Sequence, residues 1–332
     1  MCGILGFIGE STDQNKSRIL ITELYETMQV RGIDAAGFYC CSTNGNVYYY
    51  KQPGPSKDII KTKYYQDIWK ENLDLGIFHC RAASTGVGVP SENENNHPFV
   101  SDDYKKAIIH NGLINFKEYQ NLKILNSVKT ECDSEIILRV LEKDNNIFNN
   151  IKYLFDNTKN SYFSIAYAEC NNEIKKLILT RNKHRPLFFL DVRKECGQII
   201  FFSTFEIFLS SINTLKSKGF EFDVYKNFYN IKPYEIFCFE LNNNVINIKS
   251  YFAKETEIIS PDSSKKQVKN LQHQSVLDYL CTAKEKLLEI ESGIKICIEN
   301  NSILDKEVDD IITYLDKINI TLDSIKLEFL SQ

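Results

Sequence analysis

The sequence predicts an α+β fold of mostly antiparallel sheets covered by helices. Strand-like stretches come first, helical stretches hold the middle, and strands return after them. That order is not the strict strand–helix alternation of a doubly wound parallel sheet. The chain has 332 residues, 43% hydrophobic and 25% charged, which is a globular composition with room for one large domain or two ordinary ones. A third observation is a change of pattern after residue 252, where strands give way to helical periodicity.

Residues 3–9 alternate small and large apolar groups between glycines and read as a buried strand. In 16–30, Ile19, Leu24 and Met28 are spaced like one helix face. The stretches AAGFYCC and NVYYYK, separated by Ser42-Thr43-Asn44-Gly45-Asn46, read as a hairpin. DLGIFHC and KKAIIHN are further strands, and helices are expected near 115–125 and 131–143. SYFSIAYAEC, IKKLILTR, PLFFLD and QIIFFST then form a run of strands. One more helix and two more strands bring the chain to Phe252.

Residues 253–267, AKETEIISPDSSKKQ, carry no periodic apolar pattern and read as a linker. Beyond them Val276, Leu280, Ala283, Leu287, Ile290, Ile294 and Cys297 recur at alternating steps of four and three. Leu304, Val308, Ile311, Leu315, Ile318, Leu322, Ile325 and Phe329 do the same. The expectation for 268–332 is a helical hairpin with heptad seams, either covering the domain or serving as a coiled coil for assembly.

A net charge of −4 and a pI near 5.9 argue against nucleic acid or an anionic membrane as partner. No apolar run approaches the ~20 residues of a membrane span. GILGFIG has no basic residue before it and Glu10 after it, so it does not read as a signal peptide. None of the ten cysteines sits in a CxxC pair and their spacing fits no zinc module, so no metal site is expected. They read as reduced thiols, and the chain as cytoplasmic. No phosphate loop of the GxxxxGK[ST] type occurs, and no cofactor is expected.

The chain begins Met-Cys-Gly. Removal of Met1 would leave a thiol and a free amine on the same carbon of Cys2, a nucleophile beside a base of suitable pKa. Five further stretches follow in order: RGIDAAGF from Arg31, HCRAASTG from His79, PSENENNHPF from Pro90, HNGLINF from His110 and TECDSEII from Thr130. Together with MCGILGFIG they resemble the class II glutamine amidotransferases, over roughly residues 2–252. The strongest likeness is to the glutaminase half of glutamine–fructose-6-phosphate aminotransferase.

The resemblance implies a four-layer αββα sandwich of the N-terminal-nucleophile hydrolase type. It implies that Cys2 attacks the carboxamide of glutamine, releases ammonia and forms a thioester that water cleaves to glutamate. Asn111 (side-chain amide) and Gly112 (backbone N–H) would hold the oxyanion. Arg81 would grip the substrate α-carboxylate and Asp133 its α-ammonium. Ser84, Thr85 and His97 would add contacts, and Arg31 and Asp34 would brace the nucleophile loop. His79 and His110 read as packed, hydrogen-bonded histidines, because the α-amine already supplies a base.

The sequence departs from the family at Ala82, where a tryptophan is usual at the ammonia channel, at Thr85, often histidine, and in a longer loop from Gly86 to His97. The expected function is a glutamine amidotransferase subunit that passes ammonia to an acceptor on another chain. The expected partners are glutamine and either further copies or a separate ammonia-accepting subunit. The alternative is a catalytically silent scaffold or glutamine sensor acting through its C-terminal helices.

Overall fold

The computed structural model describes residues 2–83, 88–125, 127–171, 174–222 and 227–253. The chain divides into two compact units, Met1–Phe222 with Asn230–Pro261, and Asp223–Tyr229 with Asp262–Gln332. The account below is of the first unit. The expected linker beyond Ala253 and the expected hairpin of 268–332 lie outside the described residues.

The strands are β1 (Gly3–Ile8), β2 (Ala35–Ser42), β3 (Val47–Pro53), β4 (Leu73–Arg81), β5 (Phe99–Val100), β6 (Lys106–Leu113), β7 (Tyr162–Cys170), β8 (Lys175–Arg181), β9 (Phe188–Val192), β10 (Gln198–Phe202), β11 (Phe228–Asn230), β12 (Glu235–Asn242) and β13 (Val245–Phe252). The first sheet contains neighbours in the order β9-β10-β1-β4-β2-β3, and the second runs β13-β12-β8-β7-β6-β5. The pairings are antiparallel in both. The predicted α+β class is therefore the observed one.

The two sheets face each other, with β4 and β1 of the first against β6 and β8 of the second. Helices α1 (Gln14–Thr27) and α8 (Phe205–Ser217) pack together beside the first sheet, where α8 contacts β10 and α1 contacts β1. Helices α5 (Asp133–Leu141) and α6 (Ile147–Asn157) pack together on the second, where α5 contacts β6 and β5. This is a helix–sheet–sheet–helix sandwich. It explains why β1, β2 and β4 are buried at every residue: strands covered on both faces need apolar groups on both.

Glycines let the central strands of the first sheet accept large rings. In the register Gly6 pairs with Phe201, and Phe7 pairs with Gly76. A side chain at Gly6 would strike the Phe201 ring, and one at Gly76 would strike Phe7. Each such buried ring contributes about 1.5–3 kcal/mol. In the outer layer of the second sheet, Ile136, Ile137, Val140, Ile151, Leu154 and Phe155 bury against Ile108, Phe163 and Ile165.

The hairpin β2–β3, the central strands and helices α1, α4 (Phe116–Leu125), α5 and α8 lie where the sequence placed them. Helix α6 was not anticipated, although Ile147, Ile151, Leu154 and Phe155 repeat at helical spacing and Asn146 caps it by accepting from the N–H groups of Phe148 and Asn149. The short helices α2 (Ser56–Ile60), α3 (Lys63–Ile68) and α7 (Arg193–Cys196) and the two-residue β5 carry too few turns for a periodic signal.

One sequence expectation is corrected here. Cys41 and Cys170 are not reduced thiols: they form a disulfide, with Cα atoms 6.4 Å apart. Cys41 lies near the end of β2 and Cys170 ends β7, so the bond joins the two sheets at one end of the sandwich. Spacing along the chain carried no hint, because the partners are 129 residues apart. A buried ion pair, Lys175 Nζ to Asp74 Oδ2 at 3.3 Å, spans the sheets at the same end. No helix among the described residues is long and apolar enough to cross a membrane.

Candidate active site

The opposite end of the sandwich gathers most of the residues singled out by sequence. Gly3 of β1 pairs with Cys80 of β4, so one step further along the register brings Cys2 beside Arg81. Cys2 is half-buried and its thiol donates to the Ala82 carbonyl at 3.6 Å. Burial pushes the Cys2 thiol up from its ordinary pKa. The Arg81 charge works against that shift and Asp133 works with it, so both charges stand within electrostatic reach of the sulfur.

Arg31, in the 3₁₀ turn Met28–Arg31, is held below its ordinary pKa by burial, with Cys2 among the groups acting on it. Asp34 braces the loop after β4 twice. Its N–H donates to the Arg81 carbonyl at 3.0 Å, and its Oδ2 accepts from the Ala83 N–H at 2.7 Å. A side chain at Gly32 would run into the Arg81–Ala82 peptide, which explains the glycine in RGID.

Arg81 is 3% exposed. Its Nη1 donates to Asn96 Oδ1 at 2.7 Å and its Nη2 to the Gly88 carbonyl at 2.8 Å. Asn96 is itself fixed, donating to the Pro90 carbonyl at 2.8 Å, while its own carbonyl accepts from Lys51 Nζ at 2.6 Å. Burial lowers Lys51 to about 8. The guanidinium therefore organises the loop before β5. Asn96 as its partner went unnoticed in the sequence, since one asparagine in the run NENNHP carries no distinguishing signal. Ser84 and Thr85 lie outside the described residues.

The second sheet supplies the rest. Asn111 is 1% exposed on β6, and its Nδ2 has no hydrogen-bond partner among the described residues. A buried amide with an unused donor costs about 1–3 kcal/mol. Gly112 admits no side chain, because a Cβ would strike the Tyr162 carbonyl and come within 2.7 Å of His110 Nε2. Asp133 opens α5, where the helix dipole favours a carboxylate. Its Oδ2 accepts from the Ile114 N–H at 2.7 Å. Asp133 thus touches the segment just past Asn111 and Gly112 and also acts on Cys2, which ties the two halves of the site together.

His97 is buried, and its ring lies 3.9 Å from that of His79, stacked at 24°. Neither His97 ring nitrogen has a partner among the described residues. Burial, and the neighbouring His79, His110, Arg81 and Lys51, drive its pKa well below the usual value. It stands as a neutral, packed ring. His79 and His110 are packed and hydrogen-bonded, His79 Nε2 lying 3.0 Å from the His110 carbonyl and His110 Nδ1 2.8 Å from Ser134 Oγ. Burial takes His79 down to about 3 and lowers His110 as well. Among the described residues no group of three or more His, Cys, Asp or Glu is placed to hold a metal ion.

Sequence and fold together relate this chain to the class II glutamine amidotransferases, the N-terminal-nucleophile hydrolases. Among curated proteins it is 30% identical over 219 residues to glutamine–fructose-6-phosphate aminotransferase [isomerizing] of Methanococcus maripaludis, which covers 64% of this chain and 33% of that protein. It is 35% identical over 192 residues to the enzyme of the same name from Bacillus thuringiensis subsp. konkukian, covering 56% of this chain and 30% of the relative. The chain thus spans about a third of the length of the curated relatives it matches. Among solved structures, glutamine phosphoribosylpyrophosphate amidotransferase from B. subtilis aligns with a TM-score of 0.54 and 16% identity, over 77% of this chain and 50% of that one. At that identity the likeness is one of fold. No family model matches the chain.

Proposed function

We propose that the first unit is a glutaminase. Once Met1 is removed, the Cys2 thiolate attacks the carboxamide carbon of glutamine. The carbonyl electrons move to oxygen, and the Asn111 amide and the Gly112 N–H receive that oxyanion. The α-amine of Cys2 carries the thiol proton to the departing nitrogen, and ammonia leaves. Water then cleaves the thioester to glutamate and frees the thiol. Arg81 and Asp133 hold the α-carboxylate and α-ammonium of the substrate, and Ser84, Thr85 and His97 complete the pocket. The observation that carries this reading is the unpartnered, buried Nδ2 of Asn111, in a site where Asp133 and Arg81 both act on the Cys2 sulfur.

Residues 268–332 are proposed as an assembly segment and the ammonia acceptor as a group on another chain, a reading supported by the two heptad seams. A silent scaffold or glutamine sensor is the less favoured reading, since the curated relatives are named as enzymes that use glutamine.

The test is direct. Intact mass should show loss of one methionine, and the processed protein should release glutamate and ammonia from glutamine. Cys2→Ala should abolish release while leaving thermal unfolding unchanged. Turnover surviving in Cys2→Ala would remove Cys2 from the mechanism. Light scattering of the full chain against a chain cut after Phe252 tests the assembly segment, and equal masses would refute it.

A further inference from the structure

The parts of the proposed site hang from two different sheets. Cys2 and Arg81 stand at strand ends of the first, while Asn111 and Gly112 lie on β6 of the second. A nucleophile and its oxyanion donors must agree to about 1 Å, since a misplacement of that size costs about 100-fold in rate. Facing sheets held only by apolar packing define that separation weakly, because dispersion contacts are non-directional.

A side chain of β4 crosses the gap at this level. His79, two residues before Arg81, places its Nε2 3.0 Å from the carbonyl oxygen of His110, the residue immediately before Asn111. A carbonyl only accepts, so Nε2 carries the proton. Nδ1 of the same ring has no partner among the described residues, and His79 is fully buried. Nothing there would accept from a second N–H, which favours the neutral ring. His97 stacks on the ring and fixes its plane. The carbonyl that receives the bond belongs to the peptide whose nitrogen is that of Asn111, so a shift of His79 moves the donor strand directly.

We propose that His79 is a positioning residue, setting through its bond to the His110 carbonyl the distance between Cys2 and the oxyanion donors of Asn111 and Gly112. The inference rests on the glutaminase reading. His79 touches neither substrate nor sulfur in it. Its role is expressed only when the oxyanion forms, so it bears on kcat and leaves glutamine binding to Arg81 and Asp133.

Two variants and one spectroscopic measurement test this on the full chain freed of Met1. His79→Phe keeps a stacked ring and loses the donor. It should lower kcat about tenfold or more with KM changed less than about threefold, the pattern of an interaction made only in the transition state. His79→Gln restores an N–H near the Nε2 position and should recover most of the lost kcat. Thermal unfolding of each variant separates rate from fold, because a merely structural role would lower the midpoint and leave kcat intact. ¹⁵N NMR of labelled histidine should find His79 neutral at pH 7, with its proton on Nε2. This arm stands even where His79→Phe fails to fold. A His79→Phe protein with wild-type kcat, or an Nδ1–H or doubly protonated ring, would overturn the positioning role alone. A processed wild-type chain that leaves glutamine intact would overturn the functional reading beneath it.

Discussion

Acid should destabilise this domain steeply, and the histidine row between the sheets sets the size of the effect. The perturbation is a shift from pH 7 to pH 5. In the folded chain burial holds His79 neutral down to about pH 3, with Arg81 and His110 adding to the effect, while in the unfolded chain it titrates near its ordinary value of ~6.5. Its stabilising contribution is therefore fully present above about pH 6.5 and is lost progressively as pH falls toward 3, because over that window the unfolded state binds the extra proton. At pH 5 the unfolded state has gained about 1.5 pH units of proton binding, worth about 2 kcal/mol at ~1.36 kcal/mol per unit. His97, lowered by burial and by its histidine neighbours, acts in the same direction. The loss of about 2 kcal/mol from His79 alone is a substantial part of the 5–15 kcal/mol that stabilises a typical domain. The assay is urea unfolding at both pH values, followed by fluorescence of Trp69, the single tryptophan, which is buried beside Phe7. His97→Phe keeps a ring and removes one titrating group, so its pH 7-to-5 loss should be smaller than that of the wild type. Equal stability at the two pH values in the wild type, within about 1 kcal/mol, would refute neutral buried histidines.

Three further outcomes are expected. Asn111→Ala should lower glutaminase kcat by about 100- to 1000-fold with KM little changed, as for other single oxyanion donors; a small kcat effect would return Asn111 to a purely structural role. Arg81→Lys should raise KM for glutamine before kcat falls, because a lysine keeps the charge and cannot reproduce the fork that also holds Asn96 and Gly88; an unchanged KM would confine Arg81 to holding the loop. Alkylation followed by mass measurement should find two more reactive thiols after reduction, and Cys41→Ser should cost about 2–4 kcal/mol of stability; identical alkylation with and without reductant would exclude the Cys41–Cys170 bond.

The order of strands and helices was legible in the chain because each central strand is a continuous apolar run and each long helix repeats at 3.6 residues. Cys2, Arg81, Asn111, Gly112 and Asp133 were singled out for a different reason: they sit in short ordered stretches whose residue types suit a nucleophile, an oxyanion and a zwitterionic amino acid. Short elements such as α2, α3 and β5 span too few residues for any period to show. Partnerships across the sandwich were not legible either. The Cys41–Cys170 bond, the Arg81 fork onto Asn96, the stack of His97 on His79 and the His79 bond to the His110 carbonyl all join residues 15 to 129 positions apart or on opposite sheets. Residue type and spacing determine which local element forms and which chemistry a side chain can perform. Which side chains meet is decided only when two buried sheets pack face to face, because that contact depends on register and layer rather than on distance along the chain.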